Sequence, residues 1–207
     1  MGRKKRAWYD GACYHIMGRG NRHCAIFKDR EDYMFFMLLL GEVCKRFPFD
    51  LHAFCLMTNH FHLELTTGKD PIWKIMQPLM NHYARTFNHK NGHEGHLFDS
   101  RYTSCLIEDD IYFLEVSRYI HLNPVKAAMV REPLAYEYSS YRSYVDGSGK
   151  ENKAGPMLDT SRILRCFHGN SRERYRMFVE GKISHAEQEM LIRKDIHEDE
   201  RWLPWDE

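Results

Sequence analysis

The chain has almost no net charge, no closely spaced cysteine pair and no long apolar run, and each absence narrows what it can be. Thirty Lys and Arg are matched by 29 Asp and Glu, a formal net charge of +1, so the average composition argues for no polyanionic partner. Six cysteines (Cys13, Cys24, Cys44, Cys55, Cys105, Cys166) are scattered without a C-x-x-C pair. They read as reduced, buried, small hydrophobes of a cytosolic protein. No run approaches the ~18 apolar residues of a membrane span. No apolar segment follows the basic start. The expectation is a soluble, cytoplasmic protein with no membrane partner. No internal repeat is present.

What is there is a chain of 207 residues, 43% hydrophobic, enough for one core domain with a peripheral extension. The charge is separated along it. Arg3-Lys4-Lys5-Arg6 is basic and 195–207 is acid-rich, a distribution compatible with a nucleic-acid contact or with solvated tails.

The most informative stretch is Leu51–Thr67, LHAFCLMTNHFHLELTT. It alternates as a strand does, so His60, His62 and Glu64 share one face and Phe61, Leu63 and Leu65 the other, core-facing one. Two neighbouring imidazoles on a rigid strand are half of a divalent-cation site and need further N or O ligands. Two ordinary histidines on a solvated face satisfy the same pattern.

In chain order, 12–17 is a strand, followed by Gly18-Arg19-Gly20-Asn21-Arg22. The glycines allow close backbone approach, and Arg19 and Arg22 can reach phosphates; a tight turn with solvated arginines is the alternative. Residues 29–47 form an amphipathic helix behind an Asp29 cap, ended by Pro48. Strand 51–57, a Thr58-Asn59 turn and strand 60–66 make a tight hairpin. Pro71 opens a helix running to about His89 and ending at Asn91-Gly92. A strand over 98–107 carries Arg101 and Tyr102, a cation and a stackable ring for nucleic acid. Asp109 or Asp110 caps a helix over 111–122, which Asn123-Pro124 should terminate. On it Glu115, Tyr119 and Asn123 follow at intervals of four along one side, with Phe113, Val116 and Ile120 on the apolar side. The chain turns loop-like between about 146 and 155. Short helices follow over 160–167, 172–180 and 186–194. The order strand, helix, strand, strand, helix, strand predicts an α+β, ferredoxin-like (split βαβ) core over 1–145 with an antiparallel sheet, and a helical extension over 146–207.

A sheet presenting His60 and His62 beneath a helix presenting Tyr119 and Asn123 would bind a cation through two imidazoles and one amide oxygen, with open positions. Oxygen ligands completing the shell suit Mg²⁺ or Mn²⁺; the imidazoles alone would tolerate Zn²⁺. A tyrosine hydroxyl, with its ordinary pKa of about 10, attacks phosphorus only when the target is polarised.

His60-Phe61-His62 matches the HUH motif, and Arg118–Val125 (RYIHLNPV) resembles the catalytic-helix signature of single-tyrosine transposases. Met57-Thr58-Asn59-His60, Gly18-Arg19-Gly20-Asn21, Arg101-Tyr102 and Ser139-Ser140-Tyr141 fit the same group. Within it the chain is most similar to the REP-associated tyrosine transposases, relatives of the IS200-like enzymes, over about Tyr14 to Tyr144. The resemblance implies a metal-dependent single-stranded DNA endonuclease and strand transferase acting at hairpins through a 5′-phosphotyrosine. It implies His60, His62 and Asn123 as ligands and Tyr119 as nucleophile, acting as a monomer or a homodimer and associated with the nucleoid when bound to DNA. A departure is Leu97-Phe98 where the family often has tryptophan. A hairpin-binding regulator without chemistry is the alternative on the same fold. An RNA-binding module of the same topology would want aromatics where His60 and His62 stand.

Overall fold

The computed structural model describes residues 8–146 and 157–181. Its elements run β1 (Cys13–Arg19), α1 (Arg30–Arg46), β2 (Phe49–Met57), β3 (His60–Thr67), α2 (Ile72–Asn91), β4 (Thr103–Ile107), α3 (Asp110–Lys126), α4 (Tyr141–Val145), α5 (Ser161–Arg165) and α6 (Ser171–Glu180). The four strands form one sheet in the order β2-β3-β1-β4, antiparallel throughout. This is the ferredoxin-like arrangement, in which β3 inserts between β1 and β2.

The helix signals in the sequence act through identifiable bonds. Asp29 accepts from Asp32 N at 3.1 Å and Asp109 from Tyr112 N at 2.6 Å, each satisfying an orphan N–H of a first turn. Gly92 closes α2 at a φ of +58°, a left-handed cap that glycine adopts without steric cost. Several boundaries differ from the sequence expectation: β1 runs on through Gly18 and Arg19, β2 begins at Phe49 rather than 51, and two further differences have a clear physical reason. The last strand begins at Thr103, not 98, because Phe98 makes only an isolated bridge to Gly20 and Asp99 turns back to donate to Arg19 O. Asn123-Pro124 does not end α3, which continues to Lys126. The proline removes a single N–H near the helix end; Ala127 N still bonds Asn123 O at 2.9 Å, and Ile120, Asn123 and Pro124 are all buried.

Both faces of the sheet are covered. On one, α1 and α2 pack onto Tyr14, Ile16, Phe54, Leu56, Phe61, Leu63 and Leu65. On the other, α3 and the later helices pack onto Cys13, Ala53, Cys55, Met57 and Ile107. On the strand face that bears them, His62 and Glu64 are therefore not solvated, while His60 at the start of the strand is half-buried. The exposure of His62 is 1% and that of Glu64 is 0%. All six cysteines are free thiols, but only Cys13 and Cys55 are buried; Cys44, Cys105 and Cys166 are half-buried and Cys24 is exposed.

Residues 157–181 share this second core. Asp159 N donates to Leu51 O at 2.8 Å, and Phe178, Val179 and Tyr175 pack with Phe113 and Ile120. The buried His121 on α3 joins Tyr175 OH through Nδ1 and Ser140 Oγ through Nε2, each at 2.7 Å. Tyr175 OH in turn donates to Ser117 Oγ at 3.1 Å. The basic start, the 147–155 loop, the 186–194 helix and the acid-rich end lie outside the described residues.

Two expectations follow from this buried polar layer. Tyr175→Phe strips the hydroxyl shared by His121 and Ser117 and should lower the urea-unfolding free energy by about 1–3 kcal/mol. Burial holds His52 down to about 4 and His121 to about 3, so both stay neutral in the fold but protonate in the unfolded chain below about pH 6.5. Their contribution is complete above that pH and is lost as pH falls toward 4, at about 1.4 kcal/mol per pH unit each. Glu64, its carboxyl raised well above the ordinary range by burial, acts in the opposite sense above its unfolded value and offsets part of this loss. Net stability should therefore fall between pH 7 and pH 5, as measured by urea titrations at the two pH values.

Candidate active site

The strand pairing builds the site from β3 outward. Register places Arg19 of β1 and Met57 of β2 beside His60, and Met17 and Cys55 beside His62. His60 and His62, two residues apart, bring their rings to 5.0 Å between centroids at an interplanar angle of 87°. Above them lies α3. The ring of Tyr119 stands edge-on to His62 at 5.5 Å, and the Asn123 side chain interacts with His60. The interval of four that aligned Tyr119 and Asn123 in the sequence holds because α3 stays helical through Asn123. Both residues of the strand motif and both residues of the helix motif therefore meet within one chain.

Several partners decide what these groups can do. Asn123 Nδ2 donates to Tyr119 O at 2.9 Å, and the side chain favours a charged His60, as an accepting amide oxygen does. His60 Nδ1 lies 2.7 Å from Asn59 Oδ1, and an amide oxygen only accepts, so Nδ1 carries the proton. Burial, the largest influence on His60, holds its pKa below the ordinary value despite Asn123. The ring is then neutral, with the lone pair of Nε2 left to meet an amide oxygen. Two acceptors that face each other can share a cation. His62 is held well below its ordinary pKa by burial, with His15 and His60 adding to the effect.

Among the described residues no group of three or more His, Cys, Asp or Glu is placed to hold a metal, so a site here depends on the Asn123 amide. Two neutral imidazoles and an amide oxygen form a mixed N/O donor set. The residues fit such an ion and leave coordination positions open.

Three neighbours were not visible from the sequence. His15, on β1, puts Nε2 3.0 Å from His62 Nδ1 and its ring 5.9 Å from that of Tyr119. Lys126 holds its ammonium over the Tyr119 ring, 4.9 Å from the centroid. Asn59, read as a turn residue, is the partner of His60. Helical spacing could have flagged Lys126, seven residues beyond Tyr119 and therefore two turns along the same face.

The expected DNA-contacting residues separate. Arg19 is half exposed beside His60 but is paired with Asp99 at 3.0 Å. Arg22 is exposed in a turn with φ +52°. The glycines around them serve internal packing: a Cβ at Gly18 would lie 2.4 Å from the Phe61 ring, and one at Gly20 would lie 2.1 Å from Cys24 O. Arg101 is exposed on the rim of a groove of about 850 Å³ between α2 and residues 95–102, which Trp73, Met80 and Arg85 also line. Tyr102 is not an exposed stacking ring. At 3% exposure it belongs to the core beneath α1 and α2, because the strand it precedes turns it inward.

Comparison with known proteins agrees with this geometry. A family model described as "Transposase IS200 like" matches residues 9–123, more than half of the chain. A protein of Haemophilus influenzae described as a REP-associated tyrosine transposase is 26% identical over 111 residues, 48% of this chain and 63% of that protein. The aligned region thus spans less than two thirds of that relative's length. A solved structure of a REP-associated tyrosine transposase bound to a REP hairpin superposes with a TM-score of 0.59 at 19% identity, over 78% of this chain and 96% of that one; at that identity the likeness is one of fold. Among the described residues no helix is long and apolar enough to cross a membrane. With the family match spanning the strand motif and the helix motif alike, the chain belongs to the IS200-like transposase family.

Proposed function

We propose that this protein is a metal-dependent endonuclease and strand transferase that cuts single-stranded DNA at hairpin sites through a phosphotyrosine on Tyr119. The observation that carries the reading is the meeting of α3 and β3: Tyr119 beside His62 and Asn123 beside His60, in the same chain. Family membership supports DNA cleavage as the class of chemistry. The hairpin held by the structurally similar transposase supports the substrate class.

Mg²⁺ or Mn²⁺ held by His60, His62 and Asn123 would supply charge neutralisation and polarisation of the scissile phosphate. The remaining work falls to the chain itself. The Tyr119 oxygen attacks phosphorus in line; its bond to phosphorus forms as the bond from phosphorus to the 3′ oxygen breaks. In the balance the phenolic proton ends on the released 3′-hydroxyl, so neither water nor ATP is consumed. Attack by another 3′-hydroxyl reverses the step and joins strands. Packing against His15 and His62 fixes the Tyr119 ring, which limits the search for an in-line geometry. Lys126, exposed at the end of α3, offers a positive charge next to the nucleophile for a phosphate oxygen. Arg19 at the end of the interior strand β1 and Arg22 in the turn after it extend positive charge for the DNA backbone.

The test is incubation with labelled hairpin DNA from the gene's own flanks and Mn²⁺ or Mg²⁺, followed by denaturing electrophoresis. A covalent adduct is expected. Tyr119→Phe should abolish it while leaving hairpin binding within a few-fold, and the His60→Ala, His62→Ala double variant should lose metal-dependent cutting. Hairpin binding by the wild type with no adduct would make the protein a binder without chemistry. Lys126→Gln should slow adduct formation at least ~10-fold and reduce the slope of log affinity against log salt by about 1.

A further inference from the structure

His15 lies on β1 directly across from Glu64 of β3, with Met17 across from His62. It is thus the diagonal neighbour of His62, within reach of a long side chain across an antiparallel pair. The contact is made: Nε2 of His15 is 3.0 Å from Nδ1 of His62, with the rings 5.2 Å apart between centroids. Both rings are almost wholly enclosed, at 4% and 1% exposure.

Two neutral imidazoles joined through one nitrogen each share a single proton, and the two ways of placing it are not equivalent. If His15 Nε2 carries the proton, His62 Nδ1 accepts it and His62 must bear its own hydrogen on Nε2. That nitrogen then points an N–H where a ligand is needed. If His62 Nδ1 carries the proton, His15 accepts it and His62 Nε2 keeps a free lone pair. The neighbouring ligand has already been set in the second way, because Asn59 Oδ1 cannot donate to His60 Nδ1 at 2.7 Å.

Resting on the cation-binding reading of the site, we propose that His15 is a positioning residue: by accepting the Nδ1 proton of His62, it holds that ring in the tautomer whose Nε2 is free to ligate. The two ligands are then prepared alike, each with Nδ1 bound to an acceptor and Nε2 left open. One acceptor comes from the hairpin turn and the other from the adjacent strand. Such outer partners fix ring orientation and tautomer, and their loss costs about 10–100-fold in metal affinity.

The prediction is read first on the metal-free wild type by ¹⁵N-resolved long-range imidazole spectra. His62 should be the Nδ1–H tautomer, although Nε2–H is the favoured form of a free imidazole in water. In His15→Phe, which preserves a ring but offers no acceptor, His62 should revert to Nε2–H, and Mn²⁺ affinity by titration calorimetry should fall at least ~10-fold. His15→Gln, whose side-chain oxygen can accept, should retain the tautomer and bind within a few-fold of wild type. An Nε2–H tautomer for His62 in the wild type, or unchanged Mn²⁺ affinity in a folded His15→Phe, would overturn the assignment. Because the tautomer is read without metal, it judges His15 even if Mn²⁺ does not bind the wild type, a result that would count against the proposed function instead.

Discussion

Exclusion of water from the seam between β3 and α3 is the constraint on which the rest of this molecule turns. A strand that alternates polar and apolar residues ordinarily gives its polar row to solvent. Here α3 covers that row, and a buried polar group is costly unless partnered. His62 answers with His15 and His60 with Asn59, whereas both carboxyl oxygens of Glu64 are buried without a hydrogen-bond partner among the described residues and burial raises its pKa well above the ordinary range. Burial also keeps the imidazoles neutral, and neutrality is what a metal ligand requires. The same packing that forms the second core therefore prepares the chemistry.

The sheet divides the labour between its two faces. The face under α1 and α2 is apolar and continuous, with Phe61, Leu63 and Leu65 among its fully buried residues. The opposite face mixes small and apolar side chains with the histidines, and α3 is fastened over it from behind by His121, Tyr175 and Ser140. Gly18 belongs to the first division: with no side chain there, the Phe61 ring lies flat against β1 and the spine of β3 stays put beneath the histidines.

How much of this was legible in the sequence follows from the range of each signal. Caps, the hairpin turn and the strand alternation are local, and Asp29, Asp109, Gly92 and Thr58-Asn59 could all be read as they stand. The pairings of Tyr119 with Asn123 and of His60 with His62 are local too, since each depends on a single element's period. His15 was missed because its role depends on the register between β1 and β3, which neither strand encodes alone. Tyr102 was misjudged because its neighbours look like a strand, and only the late start of β4 turns its ring inward. The helix was expected to stop at Pro124 because local stereochemistry disfavours helix before proline, whereas the buried last turn of α3 overrides it.

The reach of α6 has one more consequence. The family match stops at residue 123, yet His121 leans on residues 140 and 175, and the second core draws on Phe178 and Val179. The smallest fragment in which the helix carrying Tyr119 would be seated is accordingly larger than the segment the family model matches. A gene rearrangement that carried only the matched segment to a new host protein would deliver His60, His62, Tyr119 and Asn123 and leave behind the brace that keeps them in register.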